Sequence, residues 1–452
     1  MEQEVLIKLA SYPRVVVSWI GDDGYPAQTP ARFSVDLEKG EARVSATGLP
    51  LPVDREVNVV ASHIRPRPGW GYDQRRYLSL WGRLAPAGDA MVLRETRSWG
   101  WDENVTPFFE YVERSNRQAK RYLDSLSAER GARVKPRLSP LWTFLLATRL
   151  PFLTATVVPV LLGIAIAASD GFFSLWLAAL TLVAAASVHI GLNVANDVFD
   201  TASGADDANY NPTQFSGGSR VIQRGLLSLR QMTAISAGAY AVGAGIGLYL
   251  VVERESVELL VIGVTGMLIS VFYTAPPLRL VHRGLGELTT ALGFGPIMVM
   301  GAYVVQAQRL SAEAFVASIP VALLIALVLY VNEIPDRRSD AAAGKRTLPA
   351  RLSQQAVTAG FVAAVGAAFS VLVVAAVLGV IPRPTLLALA AMPLALEVYR
   401  GIREHYDSPY ELMAAMGRNV QLHLLVGLLL FAGYMTEVAV SAVSDSPPAI
   451  LT

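Results

Sequence analysis

Cysteine is absent from the 452 residues. That excludes disulfides, thiolate nucleophiles and Cys-ligated zinc, and leaves the redox compartment undefined. Charge is scarce and balanced: 38 Lys and Arg stand against 37 Asp and Glu, a formal net charge of +1. No bulk field of one sign argues for a nucleic-acid partner. The N-terminal Met-Glu-Gln-Glu lacks the basic stretch and apolar run of a signal peptide, so none is expected. What the chain has instead is apolar surface. Hydrophobic residues make up 53% and charged residues 17%, which is the balance of a membrane protein.

The hydropathy is unevenly spread. Residues 1–127 are mixed, with charges every few positions, and are expected to form a small soluble domain. Residues 128–140 carry Arg130, Arg133, Lys135 and Arg137 between Ser127 and Pro140 and read as a linker meeting anionic headgroups at a membrane surface. Residues 141–443 alternate long apolar runs with short polar loops. Nine spans are expected, over 143–168, 172–195, 231–252, 257–276, 286–307, 312–332, 354–380, 384–399 and 419–440, since about 20 apolar residues cross the hydrocarbon core. The eighth is the shortest. The alternative, buried helices of a soluble enzyme, would have to hide too many uncharged runs. The predicted fold is therefore an all-α polytopic membrane bundle of nine transmembrane helices, preceded by a small cytoplasmic, mainly-β domain.

Loop charges set the orientation. Loops after the even spans carry Arg220, Arg224, Arg230, Arg279, Arg283, Arg337, Arg338, Lys345, Arg346, Arg351, Arg400, Arg403 and Arg418; those after odd spans carry Arg254, Arg309 and Arg383. The even loops and the N-terminal domain are expected in the cytoplasm.

Two acidic segments end even spans. Asn193-Val-Ala-Asn-Asp-Val-Phe-Asp200 runs into Thr-Ala-Ser-Gly-Ala-Asp-Asp207, and Asn332-Glu-Ile-Pro-Asp-Arg-Arg-Ser-Asp340 closes the sixth span. Carboxylates there are costly unless paired, solvated or metal-bound. Asn196 and Asp200 share a helix face, as do Asp336 and Asp340, with Asn332 one turn earlier. Pro335 marks a point where the helix can kink or restart. Two such faces on one side of the membrane make an all-oxygen cluster suited to Mg2+ with a phosphate partner. Loop cations stand ready for the phosphate charge, and Gly217-Gly218 allows backbone N–H groups to approach it. The plain alternative is helix capping and pairing with rim arginines. On spacing alone Asp206 and Asp207 read as loop residues, and His189 as a packed core histidine.

These motifs resemble the UbiA-type superfamily of intramembrane prenyltransferases over about residues 141–440. Asn196-Asp-x-x-Asp200 and Asp336-x-x-x-Asp340 carry the likeness. Asn196 through Asp206, Phe215-Ser-Gly-Gly-Ser-Arg220, Gly225-Leu-Leu, Tyr273-Thr-Ala-Pro-Pro-Leu-Arg279, Arg283-Gly-Leu-Gly-Glu287, Ala343-Gly-Lys-Arg-Thr347 and Arg149-x-Pro-Phe are similar to its menaquinone branch, whose members prenylate 1,4-dihydroxy-2-naphthoate. Where many members of the superfamily have an acid, this chain has Gly204, with Asp206 two residues on, as in the menaquinone-type motif. The resemblance implies a helical bundle around a cavity, a polyprenyl diphosphate donor and an aromatic quinone precursor as acceptor. It implies Mg2+ held by Asn196, Asp200, Asp206, Asp336 and Asp340. Asp200, Asp336, Asp340 and Tyr273 take catalytic roles; Arg149, Asn193, Asp197, Arg220, Arg279, Lys345 and Arg346 face substrate. The alternatives are a tocopherol-, haem-, chlorophyll- or archaeal-lipid-type acceptor, or a secondary transporter. Oligomeric state is left open.

In residues 1–126, short β-branched runs at 14–20, 31–35, 42–46, 57–64 and 76–83 separated by turns predict a small barrel, followed by a helix over 104–126. The hairpin at Asp22-Asp-Gly-Tyr-Pro and the late Gly82 resemble the split barrel of pyridoxamine-phosphate-oxidase-like, flavin-binding proteins. Flavin binding and a cofactor-free regulatory or assembly role both stay open. Trp70, Trp81, Trp99 and Trp101 read as packing rather than a cofactor site.

Overall fold

The computed structural model describes residues 1–22, 26–46, 48–53, 55–66, 72–88, 90–136, 138–209 and 212–444. Asp23 and Gly24 of the expected first turn, Trp70 and Arg137 lie outside them, as does the side chain of Asp207. The chain divides into two compact units, Met1–Ser115 and Asn116–Thr452.

The first unit opens with helix α1 (Gln3–Ala10), followed by strands β1 (Val15–Ile20), β2 (Pro26–Asp36), β3 (Glu41–Ala46), β4 (Glu56–Pro66), β5 (Tyr72–Ala87) and β6 (Ala90–Asp102). The strands close an antiparallel barrel in the order β1-β2-β3-β6-β5-β4, consistent with the split-barrel expectation. Alternation builds its core: Val15 and Val17 are buried while Val16 between them is exposed. Val44, Val59, Leu80 and Leu93 join them, and α1 adds Leu6 and Leu9. At Gly82 β5 and β6 shift register, and a Cβ there would fall 2.1 Å from the Arg94 carbonyl oxygen. Only glycine fits so close an approach. Trp101 stacks on Tyr111 at 4.6 Å, and Trp99 meets Tyr77 edge-on at 5.4 Å. The guanidinium of Arg97 lies 4.5 Å from the Trp81 ring. These three tryptophans therefore pack, as expected. Helix α2 (Phe108–Arg130) follows.

The second unit is helical: α3 (Pro140–Thr148), α4 (Thr154–Ser169), α5 (Leu175–Ser203), α6 (Ala205–Ala208), α7 (Leu229–Arg254), α8 (Val257–Phe272), α9 (Gly286–Leu292), α10 (Met298–Ala307), α11 (Ala312–Ala342), α12 (Leu348–Arg351), α13 (Gln354–Val377), α14 (Met392–His405) and α15 (Pro409–Ser444). Serine starts many of them. Ser174, Ser228, Ser256, Ser311 and Ser353 each accept a backbone N–H of the first turn of α5, α7, α8, α11 and α13. That satisfies a donor which lipid would leave bare. Among the described residues eight helical segments are long and apolar enough to cross a membrane. The chain is a multi-pass membrane protein. The count of nine is not confirmed: the fourth expected span, over 257–276, is α8, an apolar helix of 16 residues that ends before Pro276-Pro277. The shortest expected span, 384–399, lies in a 23-residue segment, Arg383–His405. Helix α11 runs through Pro335 without a break.

Small residues let the helices close on each other, as in membrane packing generally. A Cβ at Gly163 of α4 would sit 2.3 Å from the Val299 carbonyl oxygen of α10, and one at Gly427 of α15 would sit 2.0 Å from Val158 of α4. Helix α11 is buried along much of its length, and its C-terminal turns carry the second acidic segment.

Candidate active site

Helix α5 presents Asn193, Asn196 and Asp200 on one stripe, and α11 presents Asn332, Glu333, Asp336 and Asp340; all line one cavity of about 190 Å3. Gly204, at φ +79°, ends α5 in the left-handed conformation. That turn sends the chain into α6, so Asp206 lines the same cavity. Glycine takes this geometry without strain.

A buried lysine joins the two helices. Lys345 Nζ lies 2.7 Å from Asp200 Oδ1 and 3.8 Å from Asp340 Oδ1, and all three side chains are nearly closed to solvent. Burial alone would lower this ammonium, but the Asp200 and Asp340 carboxylates outweigh it and hold Lys345 above the ordinary lysine value. Asp206 is pushed up to about 8 by burial, with the Asp200 and Asp197 carboxylates adding to the effect. A cation close by would favour its charged form.

The loop between α6 and α7 folds over the acids. Asp336 accepts from Asn209 Nδ2 at 2.8 Å and from the Gly217 backbone N–H at 2.9 Å. Gly217 and Gly218 have φ near +75°, and a Cβ on Gly218 would stand 3.0 Å from Asp197 Oδ1 and 3.1 Å from Asp206 Oδ2. The two glycines thus bring backbone against carboxylates. At the edge, Arg149 donates to the Phe215 carbonyl at 3.3 Å and lies over the Phe152 ring at 4.6 Å.

Of the residues singled out in the sequence, Arg149, Asn193, Asn196, Asp200, Asp206, Tyr273, Asp336, Asp340 and Lys345 line this cavity. Asp197, Arg220, Arg279 and Arg346 do not. Asp197 is buried and accepts from Ser219 N at 3.1 Å. Arg220 donates to the Asp206 carbonyl. Arg279 and Arg346 are exposed. Asn209, Ser216 and Thr347 line the cavity without having been singled out. Asn209 sits in a loop, where no helical spacing marks it.

A second cavity of about 450 Å3 adjoins the first, sharing His189, Leu192, Tyr273, Thr290 and Phe294 with it. Its remaining lining is almost wholly apolar, with Gly243, Gly247, Gly263 and Gly266 from α7 and α8. His189 packs as expected: its Nδ1 is 2.7 Å from Thr156 Oγ1, and its ring meets Phe294 at 4.7 Å.

The acidic and amide side chains that line the first cavity offer oxygen donors, which suit Mg2+, beside the nitrogen groups of Lys345, Arg149 and His189. Asn193 Nδ2, Asn332 Oδ1, Glu333 Oε2 and Thr347 Oγ1 there have no hydrogen-bond partner among the described residues, so the lining fits a polar ligand. Among the described residues no three His, Asp or Glu side chains stand together as a metal cluster. The carboxylates are held by Lys345, Asn196, Asn209 and Gly217.

The profile of the UbiA prenyltransferase family matches residues 156–434. The chain belongs to this family. It is a prenyltransferase. A 2-carboxy-1,4-naphthoquinone phytyltransferase from Synechocystis sp. is 27% identical, covering 66% of this chain and 94% of that protein. A 1,4-dihydroxy-2-naphthoate octaprenyltransferase from Mycobacterium tuberculosis is 30% identical, covering 61% and 91%. A solved UbiA homologue from Archaeoglobus fulgidus, bound to DMAPP and Mg2+, aligns with a TM-score of 0.48 at 14% identity over 64% of this chain and 99% of that one. At that distance no residue role transfers. Within the UbiA family member described here, the acids come from the ends of α5 and α11 and from α6, Lys345 from the turn after α11, and the apolar cavity from α4, α5 and α7 to α10.

Proposed function

We propose that this UbiA prenyltransferase moves a polyprenyl group from a prenyl diphosphate to 1,4-dihydroxy-2-naphthoate or a related quinone precursor. The observation that carries the reading is the junction of the two cavities: a small acidic one with a buried lysine opens beside a larger apolar one. A diphosphate head and an isoprenoid tail have these opposite needs. The acceptor rests on the relatives named as naphthoate and naphthoquinone prenyltransferases.

Asn196, Asp200, Asp206, Asp336 and Asp340 would hold Mg2+, which, when bound, supplies charge neutralisation at the diphosphate oxygens. Lys345 would stabilise the pyrophosphate as the allylic C–O bond breaks, since its charge is already fixed where negative charge develops. Tyr273 and Phe294, at the junction of the cavities, would shield the allylic cation from water. An acceptor ring carbon then forms the new C–C bond and expels its own substituent, a proton or, at the carboxylate-bearing carbon, CO2, while pyrophosphate carries away the electron pair of the broken C–O bond. Asn193 and Arg149 would position the substrates. The assay is transfer of radiolabelled prenyl diphosphate to a panel of aromatic acceptors, with Mg2+ or with EDTA. Label in the naphthoate and none with EDTA is the expected result. Full activity in EDTA refutes the metal role, and label confined to a tocopherol-, haem- or lipid-type acceptor moves the acceptor.

The first unit and the acidic cavity are inferred to face the cytoplasm, from an inner membrane, on the strength of the loop charges. Absence of cysteine makes the test simple. A cysteine at Leu310, exposed between α10 and α11, should react with a membrane-impermeant maleimide in intact cells. One at Arg346 should react only after permeabilisation; the reverse pattern inverts the topology.

For the barrel, a cofactor-free regulatory or assembly role is inferred from the way its aromatic rings pack on one another. Purified protein is expected to show no flavin absorbance, before or after reconstitution, and a bound-flavin spectrum would restore the other reading.

A further inference from the structure

The loop that covers the acidic cavity has a second side. Ile222, Arg224 and Gly225 line a different cavity, of about 490 Å3, whose other wall is the end of α2 and the linker after it. All of it lies within the second unit. Lys120, Arg133, Lys135 and Arg224 line it against one carboxylate, Asp124. Lys120, Arg133 and Lys135 are exposed and make no ion pair among the described residues. Lys120, Arg133 and Lys135 around one space, against a single carboxylate, repel each other unless a further anion joins them, and ammonium and guanidinium groups together suit phosphate oxygens.

The wall is built rather than loose. Ser127 Oγ accepts the Val134 N–H at 2.9 Å and donates to the Leu123 carbonyl at 2.6 Å, which turns the linker back along α2. A Cβ on Gly225 would stand 4.0 Å from Pro136, so loop and linker are in contact distance. At the end of the linker and directly after it, Leu138, Leu141, Trp142 and Phe144 are all exposed. Apolar and aromatic side chains beside a basic stretch are what a membrane interface receives.

One turn of chain separates this cavity from the acidic one. Arg224 N donates to the Arg220 carbonyl at 2.9 Å, and Arg220 donates to the Asp206 carbonyl. Gln223 Nε2 donates to Thr201 Oγ1 at 3.0 Å and reaches Asp206 Oδ2 at 3.5 Å. We propose that the linker cavity is a second anion site, which takes a phosphate group, and that its occupancy holds the 220–224 turn in place against Asp206 and so promotes donor binding in the acidic cavity. A phospholipid headgroup and free phosphate share this chemistry; the exposed apolar residues after the linker favour the headgroup. The proposal rests on the acidic cavity binding a prenyl diphosphate, and activity in a neutral bilayer tests that separately.

The experiment uses the full chain in vesicles of phosphatidylcholine, alone, mixed with phosphatidylglycerol, or alone with inorganic phosphate added. Two quantities are read: KM for the prenyl diphosphate, and acylation of Lys120 and Lys135 relative to Lys8, measured by mass spectrometry. Phosphatidylglycerol is expected to slow acylation of both lysines and to lower KM several-fold. The Lys120→Gln, Arg133→Gln, Lys135→Gln variant is expected to match the unsubstituted protein in phosphatidylcholine and to lose the KM response. If inorganic phosphate reproduces the effect, the ligand is free phosphate; if only the lipid does, it is a headgroup. No response to either source overturns the site. An equal KM response in the variant reduces the effect to bulk surface charge, and protection of the lysines without a change in KM removes the coupling; either overturns the proposal. A variant already impaired in phosphatidylcholine shows that the cavity is not separate from catalysis and overturns it as well.

Discussion

Replacing Asp336 with alanine is expected to lower kcat/KM for prenyl transfer by about a thousandfold, about 4 kcal/mol of transition-state stabilisation. The size follows from two jobs. Its carboxylate lines the acidic cavity from α11, and it holds the covering loop through Asn209 Nδ2 and the Gly217 N–H. Alanine removes both. Asp336→Asn separates them in part: Asn209 and Gly217 donate to different carboxylate oxygens, so the amide oxygen keeps one of the two hydrogen bonds while the charge is gone. If the charge is what ionises the donor, asparagine is nearly as inactive as alanine, yet it unfolds in detergent at a temperature between those of alanine and the unsubstituted protein. Near-normal turnover in Asp336→Asn would leave this residue a loop anchor and nothing more. The measurement is initial rate against prenyl diphosphate concentration at saturating Mg2+, with the unfolding curve beside it.

The parts of the site that were legible in the sequence are those set by helical period. Asn196 with Asp200 and Asp336 with Asp340 recur at four residues, so each pair shares a face, and both faces line one cavity. Lys345 was marked by its charge as one loop cation among many, and by the family resemblance as facing substrate, but not as a bridge between the two acidic segments. Its place between Asp200 and Asp340 depends on how the chain leaves α11 at Ala343, and charge patterning does not encode that. Arg279 and Arg346 were marked on the same grounds and are exposed. Asn209 was missed because its partner, Asp336, is 127 residues away. In the barrel the five runs of β-branched residues fall within β1 to β5. Strand β6 and helix α1 were not foreseen, since β6 breaks alternation with a run of exposed residues and α1 is only 8 residues long. The fourth expected span was drawn too long for the same reason: window hydropathy continues through Thr274-Ala275, whereas the helix stops at Phe272.

Lys345→Met is expected to produce the second large effect, and one with an unusual dependence on metal. The ammonium lies 2.7 Å from Asp200 and 3.8 Å from Asp340, with little solvent access to any of the three. Removing one member of a buried ion pair leaves uncompensated charge and costs about 3–5 kcal/mol. In EDTA the variant should therefore unfold at a markedly lower temperature than the unsubstituted protein. Added Mg2+ should raise the unfolding temperature of the variant by more than it raises that of the unsubstituted protein. With Lys345 gone, the Asp200 and Asp340 carboxylates lack their counter-charge, so a divalent cation gains more by binding, and a ligand stabilises in proportion to its affinity for the folded state. Turnover should still fall, by about a hundredfold, because the metal replaces the lysine between the carboxylates but not the charge it offers the departing pyrophosphate. Equal Mg2+ shifts in the two proteins would mean that the metal and Lys345 do not share these carboxylates, and the metal site would then have to be sought among Asn196, Asp206 and Asp336 alone.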